Sequence, residues 1–122
     1  MNRYLFLFVC IFLFSCIENK ETIPNTFKNG TFKTVLEDNE TISTAIRNDT
    51  IQIETYNNIK DTFNIQWLDN FEYILVKKNP KSLLDSTPFH VKITRVKKNS
   101  YEFKAFYKGS NFKQKGTAYK LE

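Results

Sequence analysis

The sequence predicts an all-β domain, a single small antiparallel up-and-down meander of about eight strands that closes as a barrel. From Phe27 onward, apolar and polar residues alternate with a period of two, as they do in half-buried strands. Short groups of turn-forming residues separate these runs, and no run has the length or period of a long helix. A β-sandwich is the alternative arrangement. Consecutive hairpins favour the meander, and closure leaves no strand edge unpaired.

The first half of the domain is expected to contain five strands joined by polar turns. Asn48-Asp49 is interpreted as a two-residue hairpin turn, because both residue types tolerate left-handed backbone. Phe63, Ile65 and Trp67 share one face of the fourth strand. The predicted strands are 30–37, 42–47, 50–56, 61–68 and 71–76.

The second half begins with the longest connection, residues 77–87. Asn79-Pro80 favours a turn there, and residues 81–85 could form one helical turn. Gly116 marks a bulge or a site of close backbone approach in the last strand. The predicted strands are 88–94, 101–108 and 113–121.

The alternation also assigns side chains to the two faces of the barrel wall. The residues expected in the interior are Phe63, Ile65, Trp67, Phe89, Val91 and Phe103. The outward positions are assigned to polar residues, namely Glu54, Lys92, Glu102 and Lys104. Because an outer-membrane barrel needs an apolar outward face, the sequence argues against that class.

The first sixteen residues have the layout of a secretory signal. Met1-Asn2-Arg3 carries one positive charge, and the segment 4–14 is almost wholly apolar. The small residue Ser15 precedes Cys16, and Leu13 lies three positions before that cysteine. The apolar segment is shorter than the roughly 20 residues that a transmembrane helix needs.

This arrangement resembles the lipobox of bacterial lipoproteins. The resemblance implies cleavage between Ser15 and Cys16, a thioether from Cys16 to diacylglycerol, and acylation of the new amino terminus, for example by palmitate. Two or three acyl chains make such an anchor effectively permanent. An ordinary cleaved signal peptide is the alternative.

The resulting organisation has three parts. Residues 1–15 are the signal peptide, expected to be helical, 16–26 the lipidated cysteine and a flexible tether, and 27–122 the all-β domain. The protein is then exported and lipid-anchored, in the outer membrane by expectation, and faces the periplasm or the cell surface. Which leaflet holds it stays open. Cys10 leaves with the signal and Cys16 carries lipid, so no disulfide or thiolate metal site is expected.

Charge is distributed unevenly along the chain. Residues 16–76 carry a net charge of −5, whereas residues 77–122 carry +9. A basic half can indicate binding to nucleic acid or to a membrane surface, but a solvated strand face rich in lysine is the simpler interpretation. Export argues against nucleic acid as a partner.

A meander alternates its turns between the two ends of the barrel. Turns 37–41, 57–59, 77–87 and 109–112 should share one end, and the remaining turns should share the other end with the tether. We therefore expect Lys77, Lys78 and Lys81 to pair with Glu37, Asp38 and Glu40. At the anchored end, Lys97 and Lys98 are expected to face anionic head groups.

No residue pattern indicates catalysis, a metal or a cofactor. His90 is the single histidine and is assigned to the solvent side, so neither a catalytic base nor a zinc site is expected. The acidic turn 37–40 lacks the spacing of an EF-hand. Glu54 and Glu72 are given no role as a carboxylate pair. We predict that the protein is not an enzyme and binds no cofactor.

Several short motifs resemble a family of small secreted lipoproteins of uncharacterised role. They are Gly30-Thr31-Phe32, the segment 47–54, Trp67-Leu68 with the segment 72–75, and Gly116-Thr117. The similarity covers most of residues 27–122. Members sometimes carry the label DNA topoisomerase IV, which a small exported domain cannot support. Gly30-Thr31-Phe32 is also similar to the Gly-x-Trp motif of lipocalins, with Phe in place of Trp.

These observations predict a membrane-anchored, monomeric, non-enzymatic structural or interaction domain of the cell envelope, with an envelope protein as its partner. The alternative is a lipocalin-like carrier of a small apolar ligand in the barrel interior. A small eight-stranded barrel can be filled by its own side chains, which favours the first. An interior cavity below roughly 300 Å³ would exclude the second. The end with the 77–87 loop is the expected mouth.

Overall fold

The computed structural model describes residues 26–122, which form a closed antiparallel barrel. The strands follow one another around the barrel in chain order, and the last pairs with the first, so the predicted all-β meander is confirmed. The predicted signal peptide, cleavage after Ser15 and lipid attachment at Cys16 lie outside the described residues. The strands are β1 (Gly30–Leu36), β2 (Ile42–Arg47), β3 (Ile51–Tyr56), β4 (Ile59–Asp69), β5 (Glu72–Lys77), β6 (Phe89–Val96), β7 (Ser100–Tyr107) and β8 (Lys113–Lys120).

The turns show where local chemistry fixes the chain. The two-residue hairpin occurs at Asn57-Asn58, whose φ angles of 49° and 65° are left-handed. At the β2–β3 turn the predicted two-residue loop is wrong, because β2 ends at residue 47 and β3 begins at residue 51, which leaves three residues between them. There the side-chain oxygen of Asn48 accepts hydrogen bonds from the backbone N–H groups of Thr50 (3.0 Å) and Ile51 (2.9 Å).

The long connection between β5 and β6 contains the expected helical turn, α1 (Leu83–Ser86). Ser82 caps it, since its hydroxyl accepts a hydrogen bond from the N–H of Asp85 at 3.2 Å. At Gly116 the structure shows a close approach between strands. A Cβ there would lie 2.8 Å from the carbonyl oxygen of Val35 and 2.9 Å from the ring of Phe103.

The hydrophobic core occupies the half of the barrel next to the first described residues. Phe27 precedes β1 and is fully buried, so it closes this end of the barrel from within. Its ring meets that of Tyr101 edge-on at 5.1 Å, and Phe32 lies 6.5 Å away. We call this half the closed end. The buried core residues are Phe27, Phe32, Ile65, Tyr73, Leu75, Val91, Ile93, Tyr101, Phe103, Ala105 and Ala118.

On β2 and β3 polar side chains point into the barrel and isoleucines point outward, which is the opposite of the predicted arrangement. Glu54 was assigned to the outward face, and this prediction is wrong, since it lies inside beside Gln52 and Arg47. Ile46 and Ile53 point outward and are 62% and 37% exposed. A period of two identifies two faces without telling which one is buried. The interior face here is polar because its side chains satisfy one another's hydrogen bonds.

No helix within residues 26–122 is both long enough and apolar enough to cross a membrane.

Candidate functional site

An internal cavity of about 320 Å³ lies between the core and the far end of the barrel. Its rim is formed where strands meet turns, at Leu36, Thr41, Tyr56 and Ile59. Its walls are mainly apolar, with Phe63, Leu75, Phe89, Val91 and Phe103. Its floor is the polar boundary of the core, formed by Arg47, Tyr73 and Tyr101. The cavity therefore opens at the end that carries the long loop, which we call the mouth.

A second hollow of about 310 Å³ adjoins this cavity and extends it toward the loop. The two share five lining residues, and the second also reaches Asp85 and Thr87 of the 78–88 connection. The shared residues are Glu54, Phe63, Leu75, Phe89 and Gln114. The loop thus forms one side of the entrance to the barrel interior.

Arg47 is the centre of the cavity floor and is only 4% exposed. Its Nε donates to the side-chain oxygen of Gln52 and its Nη1 to the carbonyl oxygen of Phe27, both at 2.8 Å. Its Nη2 donates to the hydroxyl oxygens of Tyr73 at 3.2 Å and Tyr101 at 3.0 Å. These hydrogen bonds connect β2, β3, β5, β7 and the segment before β1.

Aromatic rings enclose the same guanidinium. Its central carbon lies 4.3 Å from the ring centre of Phe32, 4.9 Å from that of Tyr73 and 5.9 Å from that of Tyr101. Within residues 26–122 no carboxylate lies within 4.0 Å of it. Burial acts to lower the pKa of Arg47, but the oxygens of the two tyrosines raise it, so the side chain keeps its charge.

Glu54 stands between this floor and the mouth. Burial raises the pKa of its carboxyl, an effect that hydrogen bonding from Ser43 opposes and the charge of Asp61 reinforces. Arg47 and Gln52 lower the same pKa by smaller amounts. At the floor, burial also raises the pKa of Tyr73 well above its usual value, so this phenol remains protonated.

Ion pairs at the mouth differ from those predicted. Lys77 lies 3.4 Å from Asp61 and 3.9 Å from Asp85. The predicted pairing of Lys77, Lys78 and Lys81 with the acidic turn 37–40 is wrong, because β5 and β1 lie on opposite sides of the barrel.

Hydrogen bonds within the acidic turn 37–40 and with the next residue instead occupy its Asp38 carboxylate. Asp38 accepts hydrogen bonds from the N–H groups of Glu40 (2.8 Å) and Thr41 (2.9 Å) and from the Thr41 hydroxyl (2.7 Å). Hydrogen bonding from the Thr41 backbone and side chain lowers the pKa of Asp38.

The residues predicted for the interior all lie on the inner side of the wall. Ile65, Val91 and Phe103 are buried, whereas Phe63, Trp67 and Phe89 are half-buried and pack against the core. All of them line the cavity except Ile65 and Trp67, which lie in the closed end. The indole N–H of Trp67 is buried and has no acceptor within residues 26–122. Its ring packs 4.7 Å from that of Tyr73.

His90 lies on the outer face of β6, as predicted. Its Nδ1 is 3.2 Å from a carboxylate oxygen of Glu72, and its ring stacks on Phe106 at 5.4 Å. Glu72 and Glu54 lie on opposite faces of the barrel wall, so they do not form a carboxylate pair. In the part of the chain that the structure describes, no group of three or more potential ligands could hold a metal ion.

The two lysines predicted to face a membrane are exposed at the closed end, in the turn between β6 and β7. Lys97 also lies 3.5 Å from a carboxylate oxygen of Glu102. The contact of Lys97 and Lys98 with a membrane stays a prediction.

A third hollow, about 540 Å³ in volume, is a groove on the outer side of the wall around Gly116. Its sides carry charges of both signs, from Glu37, Glu102, Lys104 and Lys115. These side chains face solvent, and the groove holds no buried polar network like that around Arg47. We therefore take the interior cavity as the candidate site.

Sequence reasoning missed the floor of this site, namely Arg47, Gln52, Tyr73 and Tyr101. One signal was available: Arg47 and Gln52 flank a short turn at positions that pair across β2 and β3. Comparison of the chain with protein-family models, curated proteins and solved structures gave no match.

Proposed function

We propose that this protein is an exported, lipid-anchored binding module that takes a small ligand into the interior of its barrel, without catalysis. The observation that carries the proposal is the interior cavity of about 320 Å³. It exceeds the roughly 300 Å³ at which ligand sites begin, so the barrel is not filled by its own side chains. The cavity therefore favours the carrier over the structural domain that the sequence favoured.

The composition of the cavity supports this proposal. Small-molecule sites combine apolar walls with a few convergent polar groups. Here Leu75, Val91 and Phe103 supply apolar wall, while the tyrosine hydroxyls converge with Arg47 at the floor. Such a floor can orient a ligand whose body fills the upper part.

The direction of the opening fits an anchor at the other end. Thr26 and Phe27 lie at the closed end, where the carbonyl oxygen of Phe27 accepts a hydrogen bond from Arg47. A tether attached through Cys16 would reach the domain from that side. The mouth would then point away from the membrane, in the periplasm or at the cell surface.

A second candidate function is an interaction domain that binds an envelope protein through its outer wall. The observation that favours it is a set of outward isoleucines on β2 and β3. Ile46 is 62% exposed and pairs across the strands with Ile53, and Ile42 is 43% exposed. Replacing Ile46 and Ile53 with Thr should abolish such an association without changing the cavity.

Native mass spectrometry of the full chain, extracted from membranes in detergent, tests the carrier function. We expect a mass increment of diacylglycerol and acyl chain on Cys16, together with a retained small molecule. Ala45→Leu should remove the small molecule, because Ala45 lines the cavity and is 4% exposed. Thr44→Leu places the same leucine side chain at the neighbouring position on the exposed outer face and should retain the small molecule.

Retention of the same molecule by Ala45→Leu would place the ligand outside the barrel and contradict the proposal. Recovery of wild-type protein without any small molecule, and with no binding of added ligands, would favour the interaction domain. A protein without lipid on Cys16 would contradict the anchor and leave the cavity proposal standing.

A further inference from the structure

Building on the proposed function, we propose that the ligand is a small organic anion whose carboxylate-type head group binds at the cavity floor, against Arg47 and the Tyr73–Tyr101 pair. Two features of the floor point to this chemistry. The first is an excess of hydrogen-bond donors, and the second is a buried positive charge with no carboxylate within 4.0 Å among residues 26–122.

The donor excess follows from counting groups. The Arg47 guanidinium has five N–H groups, and four are used by Gln52, Phe27, Tyr73 and Tyr101. The fifth, on Nη1, has no acceptor within residues 26–122. Among the described residues, the floor therefore has one arginine N–H without an acceptor.

The two tyrosine hydroxyls add a second unused donor. They lie 2.8 Å apart, so one donates to the other, and both oxygens already accept from Arg47. The proton of the accepting hydroxyl then has no acceptor among the described residues. Both tyrosines line the cavity, so an acceptor entering from the mouth could receive hydrogen bonds from this hydroxyl and from Arg47.

The charge balance favours an acceptor that is also an anion. Arg47 is buried among aromatic rings and neutral oxygens, and a buried cation is costly unless it is paired. Among the charged groups that line the cavity, Asp61 already pairs with Lys77 at the mouth. Glu54 interacts with the charge of Arg47, but it receives hydrogen bonds from Ser43 and Gln52 and does not form an ion pair with Arg47 within 4.0 Å. An anionic head group at the floor would supply the missing adjacent charge.

The alternative is a cationic ligand held by Glu54. An ammonium there would lie in the same cavity as Arg47 and would be repelled by it. It would also leave both unused donors at the floor without acceptors. An anion at the floor is attracted to Arg47 and gives both unused donors an acceptor.

The cavity volume limits the size of the ligand. A volume of about 320 Å³ corresponds to about ten liquid waters, and because bonded atoms pack more closely than separate waters it accommodates a ligand of at least about ten non-hydrogen atoms. Within this cavity alone the ligand is a short-chain or single-ring carboxylate, and a longer chain would have to extend into the adjoining hollow of about 310 Å³. Its apolar body would contact Leu75, Val91 and Phe103.

A head-group series tests this inference on the full chain in lipid nanodiscs. Isothermal titration calorimetry would compare 3-phenylpropionate, 3-phenylpropanol and 3-phenylpropylamine, with empty nanodiscs as the blank. The three share one apolar body and differ in charge. We expect the carboxylate to bind about tenfold more tightly than the alcohol, since charge-assisted hydrogen bonds are stronger than neutral ones. The amine should bind more weakly than the alcohol.

Variants at Arg47 test whether the positive charge of this side chain, and not its size, causes the preference for the carboxylate. Arg47→Met should abolish the preference for the carboxylate over the alcohol, and Arg47→Lys should retain part of it. Arg95→Met is the matched control, because Arg95 is exposed on β6, and it should leave the preference unchanged. The wild-type series decides the question even where a variant at the buried position fails to fold.

Equal binding of the three compounds, or preference for the amine, would overturn the inference while leaving the proposed ligand-binding function intact. If none binds at millimolar concentration, the inference is also overturned. The retained molecule in the native mass experiment then decides the proposed function separately. An unchanged preference in a folded Arg47→Met variant would exclude Arg47 as the recognising group.

Discussion

The two ends of this barrel are built from the same eight strands and serve different purposes. At the closed end, Phe27, Phe32 and Tyr101 fill the interior and surround Arg47. At the mouth, smaller side chains such as Ser43 and Ala45 leave space between Phe63 and Phe89, and a cavity remains. Side-chain size on the inner face, rather than strand geometry, decides which half is filled and which half stays open.

The difference between the two ends also explains why the charged side chain of Arg47 is buried. A guanidinium has five donors in a fixed planar arrangement, so it can join several strands at once. Arg47 does this at the level where the packed half meets the open half. The same residue therefore serves both halves, as a crosslink for the core and as the floor of the cavity.

Arg47→Ala should have the largest effect on stability, because it leaves four hydrogen-bonding partners without their donor and opens a void. We expect the free energy of unfolding to fall by about 3 kcal/mol or more. Urea denaturation followed by tryptophan fluorescence measures this. Arg95→Ala, on the exposed face, should change it by less than about 0.5 kcal/mol. A loss at Arg47 as small as that at Arg95 would refute the crosslink.

Phe27→Ala tests whether the closed end is a packed plug. Removing a fully buried phenylalanine should lower the free energy of unfolding by about 3 kcal/mol. The matched change Phe112→Ala, at the mouth, removes a ring that is 50% exposed and should cost about 1 kcal/mol or less. Equal losses in denaturation curves would contradict the division into two halves.

Lysines at the two ends test the orientation toward a membrane. In a non-lipidated Cys16→Ser protein, Lys97→Glu with Lys98→Glu should weaken association with anionic liposomes by about fivefold per lysine. Lys78→Glu with Lys81→Glu makes the same change of charge at the mouth and should have little effect. Liposome sedimentation would measure both. Similar losses at the two ends would show that net charge, and not orientation, governs association.

Glu54→Gln tests the electrostatics of the cavity. Because the folded protein raises the pKa of this carboxyl, its contribution to stability is fully present below the unfolded pKa. That contribution is lost as the pH rises through the higher folded pKa. The wild type should therefore lose stability relative to Glu54→Gln as the pH rises above the ordinary carboxyl pKa of about 4.3. Chemical denaturation across this range measures the difference, and a constant or opposite difference would contradict the burial of Glu54.

Much of the fold could be predicted from the sequence because alternation and turn chemistry are local. Eight strands, closure and the long β5–β6 connection all follow from runs such as Phe89, Val91 and Ile93 between turn-forming residues. Local alternation also places His90 on the outer face. The strands and turns depend on local sequence, whereas closure pairs Phe32 with Lys120 across the chain and was predicted because it leaves no strand edge unpaired.

The candidate site could not be predicted in the same way. Its floor depends on Arg47 meeting Tyr73 and Tyr101, which are 26 and 54 residues away in sequence. The inward direction of Glu54 follows from the polar network at Arg47, whereas the isoleucines of β2 and β3 suggested the opposite face. Side-chain size also mattered, because a small inward residue such as Ala45 leaves cavity volume that the alternation of polar and apolar residues does not reveal.

A structure of the full chain bound to 3-phenylpropionate tests the central claim most directly. We predict that the carboxylate lies within hydrogen-bonding distance of Arg47 Nη1 and a hydroxyl of the Tyr73–Tyr101 pair. The phenyl ring should point toward the mouth, between Phe63 and Phe89. A ligand in the outer groove around Gly116, or a carboxylate at the rim with the ring against Arg47, would contradict the account.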